Sequence, residues 1–140
     1  MSPLRPCLWL LVFWLAGCDR GTAPIAGKVL PVDGRIQWQG LLPCADCDGI
    51  QTQLSLLRNG DLHSYTLTET YLAEGGDTRF VDGGRWQRDG ALLRLRGDAG
   101  TIHVYALLAD GRLQPRDGQG RAFTPRDDDF LEPVTTANAR

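Results

Sequence analysis

Positive charge is too scarce in this chain for a nucleic-acid binder: 140 residues hold 15 Lys plus Arg against 17 Asp plus Glu, a formal net charge of −2. No basic stripe alternates with aromatics as a base-stacking surface requires, so nucleic acid is excluded as a partner. Histidine occurs only twice, at His63 and His103. No Ser-His-Asp set, Gly-rich phosphate loop or paired carboxylate site is present, so the sequence carries no positive sign of an enzyme. After residue 35 no stretch has a helical period. No apolar run reaches the roughly 18 residues from which a spanning helix is read.

What is present begins at the N-terminus. Arg5 supplies a positive n-region, "CLWLLVFWLAG" from Cys7 to Gly17 is uniformly apolar, and "LAGC" ends on Cys18. This pattern predicts a secretory signal peptide over residues 1–17. "LAGC" looks like a bacterial lipobox, with small Ala16 and Gly17 before a thiol that can take a lipid. Cys18 is then the first mature residue, and palmitate or similar acyl chains hold the protein on a membrane. Each buried CH₂ contributes about 0.8 kcal/mol, and more than one chain makes the anchoring stable. Cys7 leaves with the signal segment. Processing removes only Arg5 among the charges, leaving 14 Lys plus Arg, one fewer than the 15 of the whole chain, against 17 acids. A mature chain of this length predicts one domain.

Residues 18–34, the lipidated cysteine and "DRGTAPIAGKVLPVDG", mix Gly, Pro and Ala without periodicity and read as a flexible tether. From Arg35 the chain is punctuated by turn pairs such as Asn59-Gly60, Gly75-Gly76, Asp89-Gly90 and Asp110-Gly111. Between them period two dominates: Ile50, Thr52, Leu54 and Leu56 share one face, as do Tyr65, Leu67 and Tyr71, Leu93 and Leu95, and Ile102, Val104, Ala106 and Leu108. The expected strands are 35–41, 50–58, 62–73, 78–88, 91–97, 101–109, 112–115 and 121–124. An antiparallel meander of that size curls into a small all-β barrel or half-barrel over residues 35–124, which limits exposed edges. The remaining 125–140 is charged, contains proline and reads as a disordered tail. Asp127 to Asp129 read as a solvated run rather than a metal site.

The lipobox, "GLLPCADCDGIQTQLSL", "GDLHSYTLTETYL", "GGRWQRDGALLRL" and "YALLADGRL", in that order, resemble the NlpE-type envelope lipoproteins associated with copper resistance and envelope stress. The resemblance covers roughly residues 38–120, and "LPCADCDGI" followed by alternating Thr and Leu is its most specific part. It implies a lipocalin-like antiparallel β-barrel with a CxxC on a loop or turn at the start of a strand. Longer members of the family carry a second, OB-like C-terminal domain with cysteines of its own, whose functions are not carried over to this chain. The family is usually placed in the outer membrane. Asp19, directly after the lipidated cysteine, is instead an inner-membrane retention signal in enterobacterial lipoproteins.

Four readings of Cys44 and Cys47 compete. Structural zinc wants four tetrahedral ligands, so His63 and His103 would have to converge with the thiolates, at a spacing unlike any zinc finger. A redox-catalytic pair needs a depressed thiol pKa, which neighbouring Asp46 and Asp48 oppose. A disulfide fits an oxidising periplasm, although so short a loop gives little closure entropy. Copper(I), a soft ion, is served by two thiolates when they are reduced, and the family resemblance points the same way. The expectation is a pair that is joined at rest and offers a Cu(I) site when reduced.

Trp86, Tyr65 and Tyr71 are assigned to the core. Glu69 shares their parity, and an inward acid needs a partner, for which Arg94 or Arg96 is expected. Taken together, the sequence predicts a non-enzymatic, lipid-anchored envelope protein acting in copper tolerance or stress sensing through Cys44 and Cys47. Its partners are the membrane through Cys18 and an envelope-stress sensor kinase; no cofactor is required, and Cu(I) is the ion the reduced cysteines could take. The rival readings are a lipocalin-like carrier of a small apolar ligand, which needs an internal cavity, and a lysozyme-inhibitor-like lipoprotein, which needs an inserting loop.

Overall fold

The computed structural model describes residues 33–124 and 128–134. The signal peptide, Cys18, nearly all of the tether, Asp127 and residues 135–140 lie outside them. Eight strands follow one another: β1 (Gly34–Leu42), β2 (Gly49–Asn59), β3 (Leu62–Leu72), β4 (Thr78–Asp89), β5 (Leu92–Gly97), β6 (Ile102–Leu107), β7 (Leu113–Arg116) and β8 (Glu132–Pro133). All neighbours pair antiparallel, in the order β7-β6-β5-β4-β3-β2-β1-β8. No helix among the described residues is long and apolar enough to cross a membrane.

The alternation read from the sequence sets which face turns inward. Thr52, Leu54 and Leu56 of β2 are buried, and so are Tyr65 and Leu67 of β3 and Leu93 and Leu95 of β5. The register stacks them across the sheet, Leu54 beside Leu67 and Leu56 beside Tyr65. Two tryptophans fill the space between the walls. Trp38 is fully buried and donates its indole N–H to the Gly111 carbonyl at 2.9 Å. Trp86 donates to the Leu57 carbonyl at 3.0 Å, across the barrel base. Both polar handles are thus satisfied inside an apolar setting. The hairpins at Gly60 and Gly90 turn through φ of 57° and 58°, which side chains tolerate poorly.

Two strand expectations are corrected. No strand forms over 121–124, where Ala122 makes only an isolated bridge to Arg116. In β6 the inward face is His103, Tyr105 and Leu107, with Tyr105 opposite Leu93 in the core. Val104 and Ala106 are buried on the outer side instead. The chain after β7 folds back there: Arg94 donates to the Gly118 carbonyl at 3.2 Å, and a Cβ at Gly120 would meet Leu92.

The larger correction concerns the tail. Residues 128–134, part of the segment expected to be disordered, close the barrel. Leu131 is fully buried, and it exchanges two backbone hydrogen bonds with Leu113, at 3.0 and 2.8 Å. β8 pairs with β1 at Trp38 and Gln39, and Val134 donates to the Gln37 carbonyl at 2.8 Å. Gly40 makes the approach possible, because a Cβ there would stand 2.5 Å from the Phe130 carbonyl. The Arg112 guanidinium lies 4.0 Å over the Phe130 ring and also binds Asp110 at 2.8 Å. A low average hydropathy hid the two apolar side chains, Phe130 and Leu131, that do this work.

Candidate functional site

Cys44 and Cys47 sit in the loop between β1 and β2, which are in register up to the Leu42–Ile50 pair. The structure joins them as a disulfide with Cα atoms 5.3 Å apart. Both residues are half-buried, whereas Pro43, Ala45, Asp46 and Asp48 around them are exposed. The loop is tied to the neighbouring hairpin by the Asp48 N–H, which donates to the Leu72 carbonyl at 2.9 Å. Next to it Gly49 is buried and backs onto Leu41, whose Cδ1 a Cβ would meet at 2.8 Å. The Cys47 sulfur lies 3.4 Å from the Gly49 carbonyl, a contact rather than a hydrogen bond because a disulfide sulfur carries no proton. The result is a half-buried cysteine pair at one end of the barrel, among exposed neighbours on a loop whose base is held.

The two histidines do not join it. His63 pairs across the ladder with Arg58, at the opposite end of β2 from the cysteines, and stacks on Trp86 with ring centroids 4.4 Å apart. His103 lies on β6 with its Nε2 3.3 Å from Asp82 Oδ2. Among the described residues no cluster of three or more His, Cys, Asp or Glu could hold a metal ion. A Cys₂His₂ zinc site is therefore ruled out by geometry. Two thiolates released from the disulfide would fit a soft ion of low coordination number.

The polar centre inside the barrel is Asp82, which was not singled out from the sequence. Its carboxylate accepts from the Tyr65 hydroxyl at 2.9 Å, the Thr101 hydroxyl at 2.5 Å and the Gly83 N–H at 3.0 Å, and it faces His103. Burial pushes the Asp82 carboxyl up, but the bonds from Thr101, Tyr65 and Gly83 and the nearby His103 outweigh it and hold the pKa below the ordinary value. Burial, reinforced by Asp82, pushes Tyr65 up to about 12. The Asp82 carboxylate is thereby held by several donors, which describes a structural knot between β3, β4 and β6 rather than a reactive group. Strand parity was the one signal available, since Asp82 shares a face with Trp86.

Glu69 does not find the partner expected of it. Arg94 instead faces Asp89 at 3.8 Å, and no ion pair of Glu69 forms among the described residues. The carboxylate sits half-buried near the Cys-loop end of β3, where its charge, after burial, helps raise Tyr71.

Among the described residues the side chains that turn inward pack against one another. A hollow of about 400 Å³ opens chiefly on the outer face of β1–β3, among Gln37, Gln39, Gln53, Ser55 and Thr66, and another of about 370 Å³ lies among His63, Trp86 and three arginines. At the mouth beside Pro43 the space is about 90 Å³. The packed tryptophans, tyrosines and leucines occupy the volume that an apolar cargo would need.

With this geometry in hand, the chain can be set beside known proteins. Residues 38–125 match the family model of the NlpE N-terminal domain. The chain is 36% identical over 116 residues to Lipoprotein NlpE of Escherichia coli (strain K12), spanning 78% of this chain and 47% of that protein. It also superposes on the crystal structure of the Cpx pathway activator NlpE from Escherichia coli with a TM-score of 0.53 and 29% identity, covering 77% of this chain and 53% of that one. The chain thus spans about half the length of these relatives.

Proposed function

The chain belongs to the NlpE N-terminal domain family, and from that premise we propose that it is a lipid-anchored envelope protein whose Cys44–Cys47 pair responds to reduction and to copper and reports that state to a membrane sensor kinase. The observation that carries the reading is the disulfide itself, placed on a hairpin loop with a pinned base and, among the described residues, outside any cluster of three or more groups that could hold a metal ion. A structural staple would be expected to link distant parts of the chain, whereas this one spans a sequence separation of 3 and its two cysteines are only half-buried.

Reduction takes two electrons and two protons from a dithiol of the envelope, which ends as a disulfide. The freed thiols lose their protons as they bind, and Cys44 and Cys47 would then hold Cu(I) between two sulfurs. Nothing in the loop supplies the four-ligand set that zinc prefers. Lipidation at Cys18 keeps the domain at a membrane and raises its effective concentration for membrane partners. The relative described as a Cpx pathway activator supports a signalling role, and a non-enzymatic role fits the Asp82 cluster, whose carboxylate is held by several donors. Outer-membrane residence follows the family habit, against the inner-membrane signal of Asp19.

The test is an anaerobic Cu(I) titration of the reduced protein, with Zn(II) as competitor, comparing wild type with the Cys44→Ser plus Cys47→Ser double variant. Wild type should bind one Cu(I) and prefer it to Zn(II), and the double variant should lose the site. Equal Cu(I) affinity in the two proteins refutes the assignment.

A further inference from the structure

We propose that the free edge of β4, from Thr78 to Asp82, is a strand-addition site for an extended segment of another protein, one with apolar residues at alternate positions and an acid placed to meet Arg79. The inference is independent of the copper reading and survives its failure.

The edge follows from unequal strand lengths. β3 covers one side of β4 from Arg85 up to Thr78, but β5 reaches only from Asp89 to Gly84 before the chain turns away at Asp98. The upper half of β4 therefore has a neighbour on one side only. Its hydrogen-bonding direction is fixed by the Gly83 carbonyl, which accepts from the Asp98 N–H at 2.9 Å on the β5 side. In an antiparallel strand alternate residues point the same way, so Arg79 and Val81 also aim N–H and C=O at the open side, while Phe80 and Asp82 face β3. The Gly83 N–H is taken by the Asp82 carboxylate, which ends the open stretch. Among the described residues nothing pairs with the four backbone groups of Arg79 and Val81 on that side.

Exposed backbone of this kind is normally blunted by proline, bulges, inward charges or covering loops. Here apolar side chains flank it. Val81 is 63% exposed and Phe80 55%. An added strand would bond to Arg79 and Val81, cover Phe80 on one face and Val81 on the other, which is the chemistry of β-augmentation. Arg79 makes no ion pair among the described residues, so an acid in the added strand completes it. A second copy of this chain does not: pairing about Thr78 brings Asp77 to Arg79 but leaves Val81 bare, and every face-matched register covering Val81 sets no acid opposite Arg79.

The experiment is amide hydrogen exchange on the full chain in detergent, with and without a six-residue synthetic peptide of alternating valine and threonine carrying one glutamate. In the free protein the amides of Arg79 and Val81 should exchange at least tenfold faster than those of Phe80 and Asp82, and the peptide should slow them at least tenfold. Val81→Pro removes an N–H that faces the open side and spares the ladder to β3, so it should keep the melting temperature and abolish protection. Val81→Lys, which keeps the N–H, should weaken peptide protection and decides the matter if the proline variant unfolds. Amides already protected without peptide, no slowing by the peptide, or protection that survives in the variants would overturn the proposal. Protection that instead grows with protein concentration alone, and is lost in Val81→Pro, would make a second copy the occupant and overturn it equally.

Discussion

Leu131→Ala should measure how much the closing segment contributes to the barrel. The side chain is fully buried on a segment held by the two bonds to Leu113, the Val134 bond to Gln37 and the β8 pairing to Trp38 and Gln39. Truncating a buried leucine costs about 2–5 kcal/mol, depending on how far the site collapses. The upper end is out of reach here, because a segment this short can peel off once undocking becomes cheaper than keeping a cavity. A loss of about 2–4 kcal/mol is expected, and at roughly 4–8 °C per kcal/mol for a body of this size the midpoint falls by about 15 °C. Urea and thermal unfolding followed by tryptophan fluorescence are suited to it, since Trp38 pairs with Pro133 and reports on the seam. Phe123→Ala, at an exposed position, should stay within about 0.5 kcal/mol. Gly40→Val tests the same contact from the other side by driving a side chain at the Phe130 backbone. If Leu131→Ala shifts stability by less than about 0.5 kcal/mol, residues 128–134 do not close the barrel and the seam assigned to them is wrong.

Further outcomes follow from the same geometry. Opening the Cys44–Cys47 disulfide with a reductant, or by the double serine variant, should lower stability by no more than about 2 kcal/mol, because so small a loop carries little closure entropy; a larger loss in urea unfolding would assign the bond a structural role. The Asp82 carboxyl titrates lower in the folded protein than in the unfolded chain, so its contribution is whole above the unfolded value near 4 and is lost as pH falls through the folded one. Wild type should therefore lose stability on acidification below about pH 5 more steeply than Asp82→Asn, and parallel pH profiles would contradict the network. Tyr65→Phe removes a hydrogen bond to that carboxylate and should cost about 1.5–3 kcal/mol at neutral pH, a difference that shrinks in acid.

Much of this protein was legible in its alternation. Leu54 and Leu56, Tyr65 and Leu67, and Leu93 and Leu95 each fall two apart, and a strand has no choice but to send such pairs to one side. The turn pairs at Gly60 and Gly90 ended strands where expected, because positive φ is a local demand that local sequence must meet. The cysteine loop was legible for a similar reason: two thiols three positions apart can reach one another whatever the rest of the chain does. What escaped was non-local. Asp82 becomes a hub only when β3, β4 and β6 bring Tyr65, Thr101 and His103 to it, residues separated by 17 to 21 positions along the chain. The face of β6 was ambiguous because Val104 and Ala106 are buried from outside by a loop whose path no periodicity records.

The barrel's closure shows the division most plainly. Sequence alone determined that the chain would form an antiparallel meander, since hydrophobic alternation and tight turns act between near neighbours. It could not say what joins the two ends of that meander, because Phe130 and Leu131 are two apolar residues in a charged stretch and acquire meaning only from Gly40, Arg112 and Leu113. The same holds for the open half of β4: its length was readable, but that β5 would stop at Gly97 and leave Arg79 and Val81 facing outward was decided by the turn at Asp98 and by the curvature that closes the rest of the sheet.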